Sequence, residues 1–244
     1  MSEFKFKQFS VKNESSAMKV NTDGVLLGAW MNIGREEKQL LDIGTGTGVI
    51  ALMAAQRSAA MRISERSIYA IEIDSVSSQE AEFNFENSPW RDMLRIENVS
   101  IQDFSKECPI KFDLIFTNPP YFIDSLKAPQ KRRNVARHTD LLSHQDIIKS
   151  VNSLISPNGR FALILPSGEA QQFITESGQF GFRLCRICKV KTTLDSDPKR
   201  YLMEFYIKKG CQECVDVADD IPYQELVIET EEYKSLTKDF YLNF

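Results

Sequence analysis

The chain of 244 residues has no long apolar run. Its longest such runs, near Val25–Met31 and Val49–Ala55, are well short of the roughly 20 residues that cross a bilayer. The first ten residues are polar and lack the apolar stretch of a secretion signal, so we expect no signal peptide. Neither an internal repeat nor a low-complexity segment is visible. With 42% hydrophobic residues, the chain suits one sizeable α/β domain, with or without an appendage.

Cysteine and charge are also limited. Five cysteines are an odd number for a chain of this size, and we expect reduced thiols and a cytoplasmic location. The net charge of −4 argues against a protein that coats polyanions, although it allows a local basic patch.

Four cysteines form two C-x-x-C pairs, Cys185 with Cys188 and Cys211 with Cys214, a spacing that zinc sites use. The first pair falls inside a predicted strand, where residues three apart point to opposite faces. No glycine or proline there supplies a turn. The pattern therefore predicts no metal site.

The most regular pattern is an apolar strand, Gln39–Ile43, followed by Gly44, Gly46 and Gly48 and then a helix. Glycine lets the backbone turn tightly and approach a ligand closely. The pattern is typical of the first half of a βαβ unit that binds a nucleotide-like cofactor. An ordinary tight turn in an α/β domain would have the same sequence pattern.

The spacing of the glycines and the acid before them limit which ligands the loop can bind. A dinucleotide loop is Gly-x-Gly-x-x-Gly, whereas this loop is Gly-x-Gly-x-Gly and follows Asp42. A carboxylate there suits a cationic ligand better than a pyrophosphate. S-adenosylmethionine carries a sulfonium and an ammonium group, and the stretch resembles the cofactor loop of class I methyltransferases.

Acids at the next two strand ends predict further cofactor contacts. Glu72, at the end of a strand over Ser67–Ile73, is placed to accept both ribose hydroxyls, unless it is a solvated surface acid. Asp74 is the expected cap of the following helix. A third strand over Leu94–Ile101 would place Asp103 to accept from the adenine amino group and Phe104 to offer its backbone N–H.

The fourth strand, Phe112–Thr117, runs directly into Asn118-Pro119-Pro120-Tyr121. Two prolines fix the backbone and remove two donors, so the turn presents carbonyl groups. The Asn118 amide oxygen and the Pro119 carbonyl could each accept one hydrogen of a planar NH₂ group while Tyr121 stacks on its plane. We predict that these three residues are catalytic and that Asn118 also contacts the cofactor.

Upstream of the glycine loop, Thr22 and Asp23 precede an apolar helix. They are interpreted both as the helix cap and as contacts to the methionine end of the cofactor, and one position can serve both. The segment 1–13 alternates phenylalanine with lysine. It is either a short strand with one apolar face or a basic, aromatic arm for nucleic acid.

The segment 122–143 is too long for an ordinary connection, which suggests a substrate loop. Its basic residues beside the predicted amine-binding turn indicate a phosphate backbone nearby, although a solubilising loop would look similar. The candidate RNA-binding residues are Lys127, Lys131, Arg132, Arg133 and Arg137. His138 is interpreted as structural or phosphate-binding, because an arylamine needs no base before it is methylated.

The remaining chain predicts a helix that begins with a capping box, Ser143–Asp146. The segments Phe182–Val190 and Tyr201–Ile207 read as a closing antiparallel pair.

Nearly the whole chain resembles the bacterial tRNA(Val) adenine-37 N6-methyltransferases. The Asn-Pro-Pro-Tyr turn alone is shared with glutamine methyltransferases of release factors and guanine methyltransferases of rRNA, whereas the other motifs are more specific. The motifs are Phe6-Lys7-Gln8-Phe9, Ala17-Met18-Lys19-Val20, Thr22 to Trp30, Asp42-Ile43-Gly44, Asn87-Ser88-Pro89-Trp90, Asn118 to Tyr121, Ala136-Arg137-His138 and Asp239-Phe240-Tyr241-Leu242.

This resemblance implies an α/β, Rossmann-like class I methyltransferase domain over residues 1–244. Its seven-stranded, mostly parallel sheet would have the last strand antiparallel and helices on both faces. Residues 1–35 would form an arm and a helix over the cofactor site, and residues 36–244 the core. It implies an enzyme that uses S-adenosylmethionine to methylate N6 of adenine 37 in tRNA(Val). We expect the protein to be a monomer. A protein-glutamine or rRNA guanine methyltransferase and an RNA-binding protein without turnover are the alternatives.

Overall fold

The computed structural model describes residues 2–16, 18–63, 65–120, 142–207 and 223–243. The strands are β1 (Glu3–Lys5), β2 (Ser10–Lys12), β3 (Gln39–Ile43), β4 (Ser67–Ile71), β5 (Leu94–Glu97), β6 (Phe112–Thr117), β7 (Ile155–Pro166), β8 (Phe182–Lys191), β9 (Arg200–Ile207) and β10 (Tyr223–Val227). The helices are α1 (Thr22–Trp30), α2 (Val49–Ala60), α3 (Ser75–Glu86), α4 (Ile101–Glu107), α5 (His144–Leu154), α6 (Ser167–Gly178) and α7 (Glu231–Thr237), with a 3₁₀ turn at Arg91–Met93.

In the described residues the main sheet has eight strands in the order β10-β8-β9-β7-β6-β3-β4-β5. Only β9 runs antiparallel to its neighbours, β7 and β8. The predicted α/β fold class and the predicted antiparallel pair of β8 and β9 are confirmed. The sheet has one strand more than the seven expected, because β10 adds to β8 in parallel at the edge.

Two apolar cores lie on the two faces of the sheet, because successive strand side chains point to opposite sides. On β3, Leu40 belongs to one core and Leu41 to the other. The first core packs the sheet against α1, α2, α3 and α7. The second packs it against α4, α5 and α6. The predicted capping box at the start of α5 is present, since Ser143 and Asp146 bond each other's backbone N–H groups.

The predicted third strand is too long. β5 ends at Glu97, and Ser100 caps α4 by accepting a hydrogen bond from the backbone N–H of Asp103 at 3.0 Å. Asn98 turns its amide to the carbonyl oxygen of Glu72 at 2.7 Å, which ends the regular pairing. The short polar side chains in this run bond the backbone themselves and so compete with the hydrogen bonds of the sheet. The segment therefore forms a turn and a helix cap.

The N-terminal segment forms a two-stranded hairpin of β1 and β2. Phe6 and Phe9 between them are buried and stack at a centroid distance of 4.5 Å. Phe9 also meets Trp90 edge-on at 5.7 Å. These two rings belong to the core and offer no stacking surface to a nucleic acid. Within the described ranges no helix is long and apolar enough to cross a bilayer.

Candidate active site

The candidate site lies where β3, β4 and β6 end. Strand β3 pairs with β4 on one side and with β6 on the other. The chain goes from β3 to β4 and later returns to the other side of β3, so the β3–β6 boundary is a topological switch point. Open α/β sheets bind ligands in the crevice at such a point. Asp42, Glu72 and Asn118 are brought to this edge by the three strand ends.

The glycine loop has the left-handed backbone that its sequence predicts. Gly44, Gly46 and Gly48 have φ angles of +66°, +57° and +83°. A Cβ at Gly48 would lie 2.5 Å from the ring of Phe85, so this glycine allows close packing against α3. A Cβ at Gly44 would have no atom of the described residues within 4 Å, which leaves space beside the loop for a ligand.

Asp42 is fully buried beneath this loop. Its Oδ2 accepts a hydrogen bond from the Thr45 hydroxyl at 2.7 Å. Burial raises the pKa of Asp42 to about 7, against the lowering effects of hydrogen bonds from the Thr45 hydroxyl and from the backbone N–H of Ala51. A cation bound nearby would favour the ionised form.

Glu72 continues from β4 into the site. One carboxylate oxygen accepts from the backbone N–H of Gly46 at 2.9 Å and the other from that of Asp74 at 3.0 Å. Burial raises the pKa of Glu72 from its usual value. Asp74 caps α3 by accepting from Ser77 N–H at 2.8 Å, as predicted. Glu72 is therefore tied to the glycine loop and keeps further lone pairs for a ligand.

Asn118 is buried at the end of β6, whose last residue, Thr117, donates its hydroxyl to the carbonyl oxygen of Ile43 at 2.8 Å. The Nδ2 of Asn118 lies 3.8 Å from the sulfur of Met18, and its Oδ1 has no hydrogen-bond partner among the described residues. Pro119 is buried beside it. An unpartnered buried acceptor is costly, and this one lies at the expected place for an amine.

Several candidate residues lie outside the described residues. They are Tyr121, Lys127, Lys131, Arg132, Arg133, Arg137 and His138 in the substrate loop and Cys211 and Cys214 in the second cysteine pair.

Thr22 and Asp23 begin α1, but the predicted cap is wrong. Asn21 is the cap, because its side chain accepts from the backbone N–H of Gly24 at 2.9 Å. Asp23 instead forms an ion pair with Arg200, 2.8 Å away at the start of β9. Asparagine is as good a cap as aspartate, and the sequence offered both.

Asp103 and Phe104 lie near the start of α4 and do not directly follow a strand as predicted. Asp103 is exposed in the first turn of α4, where its carboxylate bonds Ser100 and Lys106, and these bonds lower its pKa. The backbone N–H of Phe104 donates to the carbonyl oxygen of Ser100 at 2.9 Å. The Phe104 ring is buried. The adenine contacts expected of Asp103 and Phe104 stay predictions.

Two side chains of α3 that sequence reasoning missed hold the N-terminal segment over the site. Buried Glu80 accepts from the backbone N–H groups of three successive residues, at 3.0, 2.7 and 3.0 Å. Asn84 both accepts from and donates to the backbone of Lys12 and donates to the carbonyl of Thr47 at 2.8 Å. No sequence signal marked them, because both lie within an ordinary helical pattern.

Cys185 and Cys188 lie on β8, as predicted. Burial raises the pKa of each thiol to about 11. The Cys185 thiol donates to the carbonyl oxygen of Glu204 at 3.3 Å. Within the described parts of the chain, no three His, Cys, Asp or Glu side chains are grouped as metal ligands would be.

Comparison with known proteins identifies the family. Residues 16–173 match the family model of the methyltransferase small domain. A tRNA1(Val) (adenine(37)-N6)-methyltransferase of Flavobacterium psychrophilum is 40% identical, over 98% of this chain and 99% of the relative. A protein of the same name from Phocaeicola vulgatus is 42% identical, over 98% and 97%. The chain belongs to this family.

Solved structures confirm the fold of this family member. A structure from Agrobacterium tumefaciens, titled a predicted O-methyltransferase, superposes with a TM-score of 0.61 over 89% of this chain and 96% of that chain, at 14% identity. A Listeria monocytogenes structure, named for a class I S-adenosylmethionine-dependent methyltransferase, gives 0.57 over 88% and 65%, at 13% identity. At these identities the likeness concerns the fold alone.

Proposed function

We propose that this methyltransferase transfers a methyl group from S-adenosylmethionine to N6 of adenine 37, beside the anticodon of tRNA1(Val), and that it does so in the cytoplasm. The family name supplies the substrate class. The observation that carries the proposal is Oδ1 of Asn118, a buried acceptor at the switch point of the sheet that has no partner in the described part of the chain.

The residues present fit a cationic, ribose-bearing donor. Asp42 offers a buried carboxylate, and the described residues leave open space beside Gly44. Glu72 is tied to Gly46 and is proposed to accept the ribose hydroxyls. Thr22 and Asp23 are proposed to contact the methionine end. When bound, S-adenosylmethionine supplies an electrophilic methyl group on a sulfonium.

Asn118 is proposed to orient the target nitrogen. An amide is no base at neutral pH, so Asn118 acts by accepting an N–H hydrogen at Oδ1, which turns the nitrogen lone pair toward the methyl group. The carbonyl of Pro119 accepts the second hydrogen, and Tyr121 stacks on the base. Holding both reactants in line is worth roughly 7–11 kcal/mol when the alignment is complete.

RNA binding completes the proposal. The target adenine must leave its stack at a cost of a few kcal/mol, and stacking on an aromatic side chain offsets roughly 1–3 kcal/mol of this. Lys127, Lys131, Arg132, Arg133 and Arg137 follow the catalytic turn in sequence and are proposed to bind the phosphate backbone.

The test is incubation of the purified protein with labelled S-adenosylmethionine and total tRNA from a strain that lacks the enzyme, followed by nucleoside analysis. We expect label in N6-methyladenosine, which maps to position 37 of tRNA1(Val). Label in a methylguanosine, or label only in protein glutamine when release factor is supplied, would replace this function with one of the two enzyme alternatives. No transfer at all would favour a binding protein.

A further inference from the structure

The side chain of Met18 lies against the amide of Asn118, with its sulfur 3.8 Å from Nδ2. We infer that Met18 is a positioning residue, whose thioether accepts a hydrogen bond from Nδ2 and so keeps Oδ1 turned toward the substrate. The inference deepens the proposed function and rests on it, since it assumes that Oδ1 is the group that orients the target nitrogen.

The chemistry of the pair fixes its direction. A thioether sulfur carries no hydrogen and can only accept, whereas an amide has a donor end and an acceptor end. If the Asn118 amide were turned over, its oxygen would face the sulfur lone pairs and both groups would lose the contact. The sulfur thus favours the one orientation in which Oδ1 stays available, and Oδ1 is indeed without a partner.

The backbone of Met18 is held from the opposite side. Its carbonyl oxygen accepts from the hydroxyl of Ser16 at 3.1 Å, and the backbone N–H of Ser16 donates to Glu80 at 3.0 Å. Ser16 is buried. Glu80 on α3 therefore anchors the segment that carries Met18.

The same segment lies on the glycine loop. A Cβ added at Gly46 would lie 3.6 Å from the hydroxyl oxygen of Ser16 and 3.8 Å from the carbonyl oxygen of Met18. Met18 thus spans the gap between the cofactor loop and the catalytic turn. The methionine side chain is flexible by nature, and Met18 is half-buried. Its anchored backbone keeps the sulfur near Asn118.

The test compares Met18→Leu, which keeps the bulk and removes the acceptor, with Met18→Gln, which has a similar length and restores an acceptor oxygen. Met61→Leu is the matched control, because Met61 is also half-buried but follows the last residue of α2, at the opposite end from the glycine loop. Steady-state methylation of tRNA gives kcat and KM for each variant. The ligand-free, ¹⁵N-labelled proteins give the side-chain amide signals of Asn118, assigned from their loss in Asn118→Asp.

We expect Met18→Leu to lower kcat about threefold to tenfold, the range for one weak hydrogen bond, with both KM values within twofold of wild type. Met18→Gln should recover most of the rate, and Met61→Leu should match wild type. The Asn118 amide signals should shift in Met18→Leu and stay in place in Met61→Leu.

A wild-type kcat in Met18→Leu, or an equal loss in the Leu and Gln variants, would overturn the inference, and so would unshifted amide signals. If the wild-type protein methylated no tRNA, the proposed function would fail, whereas the amide signals of the ligand-free protein would still decide whether Met18 holds Asn118.

Discussion

Glu72 and Asn118 follow the strands on either side of β3, and they differ in their hydrogen bonding. Both carboxylate oxygens of Glu72 accept backbone hydrogen bonds, from Gly46 and Asp74. The amide oxygen of Asn118 accepts none in the described structure, although the residue is buried. A buried acceptor without a partner costs roughly 1–3 kcal/mol, and a bound N–H group removes that cost.

The difference separates two kinds of preorganisation. On the proposed cofactor side, Glu72 is already held by two backbone hydrogen bonds, so a ligand adds contacts to a carboxylate that is fixed in place. The substrate side keeps one acceptor aimed and unpaired, so its full hydrogen bonding is reached only with the base in place. Changes at Glu72 should therefore act on cofactor binding, and changes at Asn118 on the rate.

Asn118→Ala should produce the largest effect. It removes the acceptor without adding bulk or charge, and the contact matters most when the nitrogen becomes cationic in the transition state. We expect kcat to fall about 10²–10³-fold with KM for tRNA little changed. Asn118→Asp, which still accepts, should lose less. A larger change in KM than in kcat would make Asn118 a docking residue and remove the contrast with Glu72.

Glu72→Ala should weaken S-adenosylmethionine binding by roughly tenfold to a hundredfold, because hydrogen bonds to a charged group are worth roughly 1.5–3 kcal/mol. Isothermal titration calorimetry measures this directly. Glu97→Ala is the matched control, since Glu97 is exposed on the adjacent strand and meets Glu72 only through its backbone carbonyl. Unchanged affinity in Glu72→Ala would transfer the ribose role to Asp74.

Asp42 should make cofactor binding depend on pH. With a pKa of about 7, the Asp42 carboxyl group of the ligand-free protein is largely protonated at pH 6 and largely ionised at pH 8. A cationic donor favours the ionised form, so its dissociation constant should fall about tenfold over that range. Asp42→Asn should flatten the profile. A dissociation constant in wild type that does not change between pH 6 and 8 would place the cation away from Asp42.

The stability of the ligand-free protein should show the opposite trend. The folded pKa of Asp42 is raised above its usual value, so the folded state keeps a proton that the unfolded chain releases. The free energy of unfolding should therefore fall as the pH rises from about 4 to 7, and chemical denaturation of Asp42→Asn should lack that contribution.

Changes in the substrate loop, residues 122–143, should have the smallest effect per residue on function. Replacing Lys131, Arg132 and Arg133 by alanine should weaken tRNA binding and flatten the dependence of its affinity on salt, because fewer counterions are released. S-adenosylmethionine affinity serves as the internal control and should not change. An unaltered salt slope would assign RNA docking to another surface.

The sequence predicted the parts of the site that depend on backbone conformation and strand ends. Three glycines at alternate positions need left-handed backbone, and all three adopt it. Glu72 and Asn118 lie at the ends of β4 and β6 because parallel strands bring their carboxyl ends to one edge. The family resemblance and the fold class followed from the same motifs and are confirmed.

The predictions that failed each depended on a choice between neighbouring polar residues. Asn21, Thr22 and Asp23 can all cap a helix, and the sequence did not show that Asn21 would be the residue that bonds the Gly24 N–H. Ser100 ended β5 early because its hydroxyl captured a backbone N–H of α4. Glu80 could not be found from sequence, since a buried acid that binds distant backbone N–H groups looks like any helical glutamate.

The central claim is that Glu72 binds the methyl donor, S-adenosylmethionine, and that Asn118 orients the adenine nitrogen that receives the methyl group. Single-turnover methylation of tRNA1(Val) at saturating S-adenosylmethionine tests it most directly, with wild type, Glu72→Ala and Asn118→Ala side by side. We predict that Glu72→Ala then reacts within a few-fold of wild type, because saturation hides its weaker binding, while Asn118→Ala stays about 10²–10³-fold slower. An Asn118→Ala rate within a few-fold of wild type would contradict the assignment of the active site.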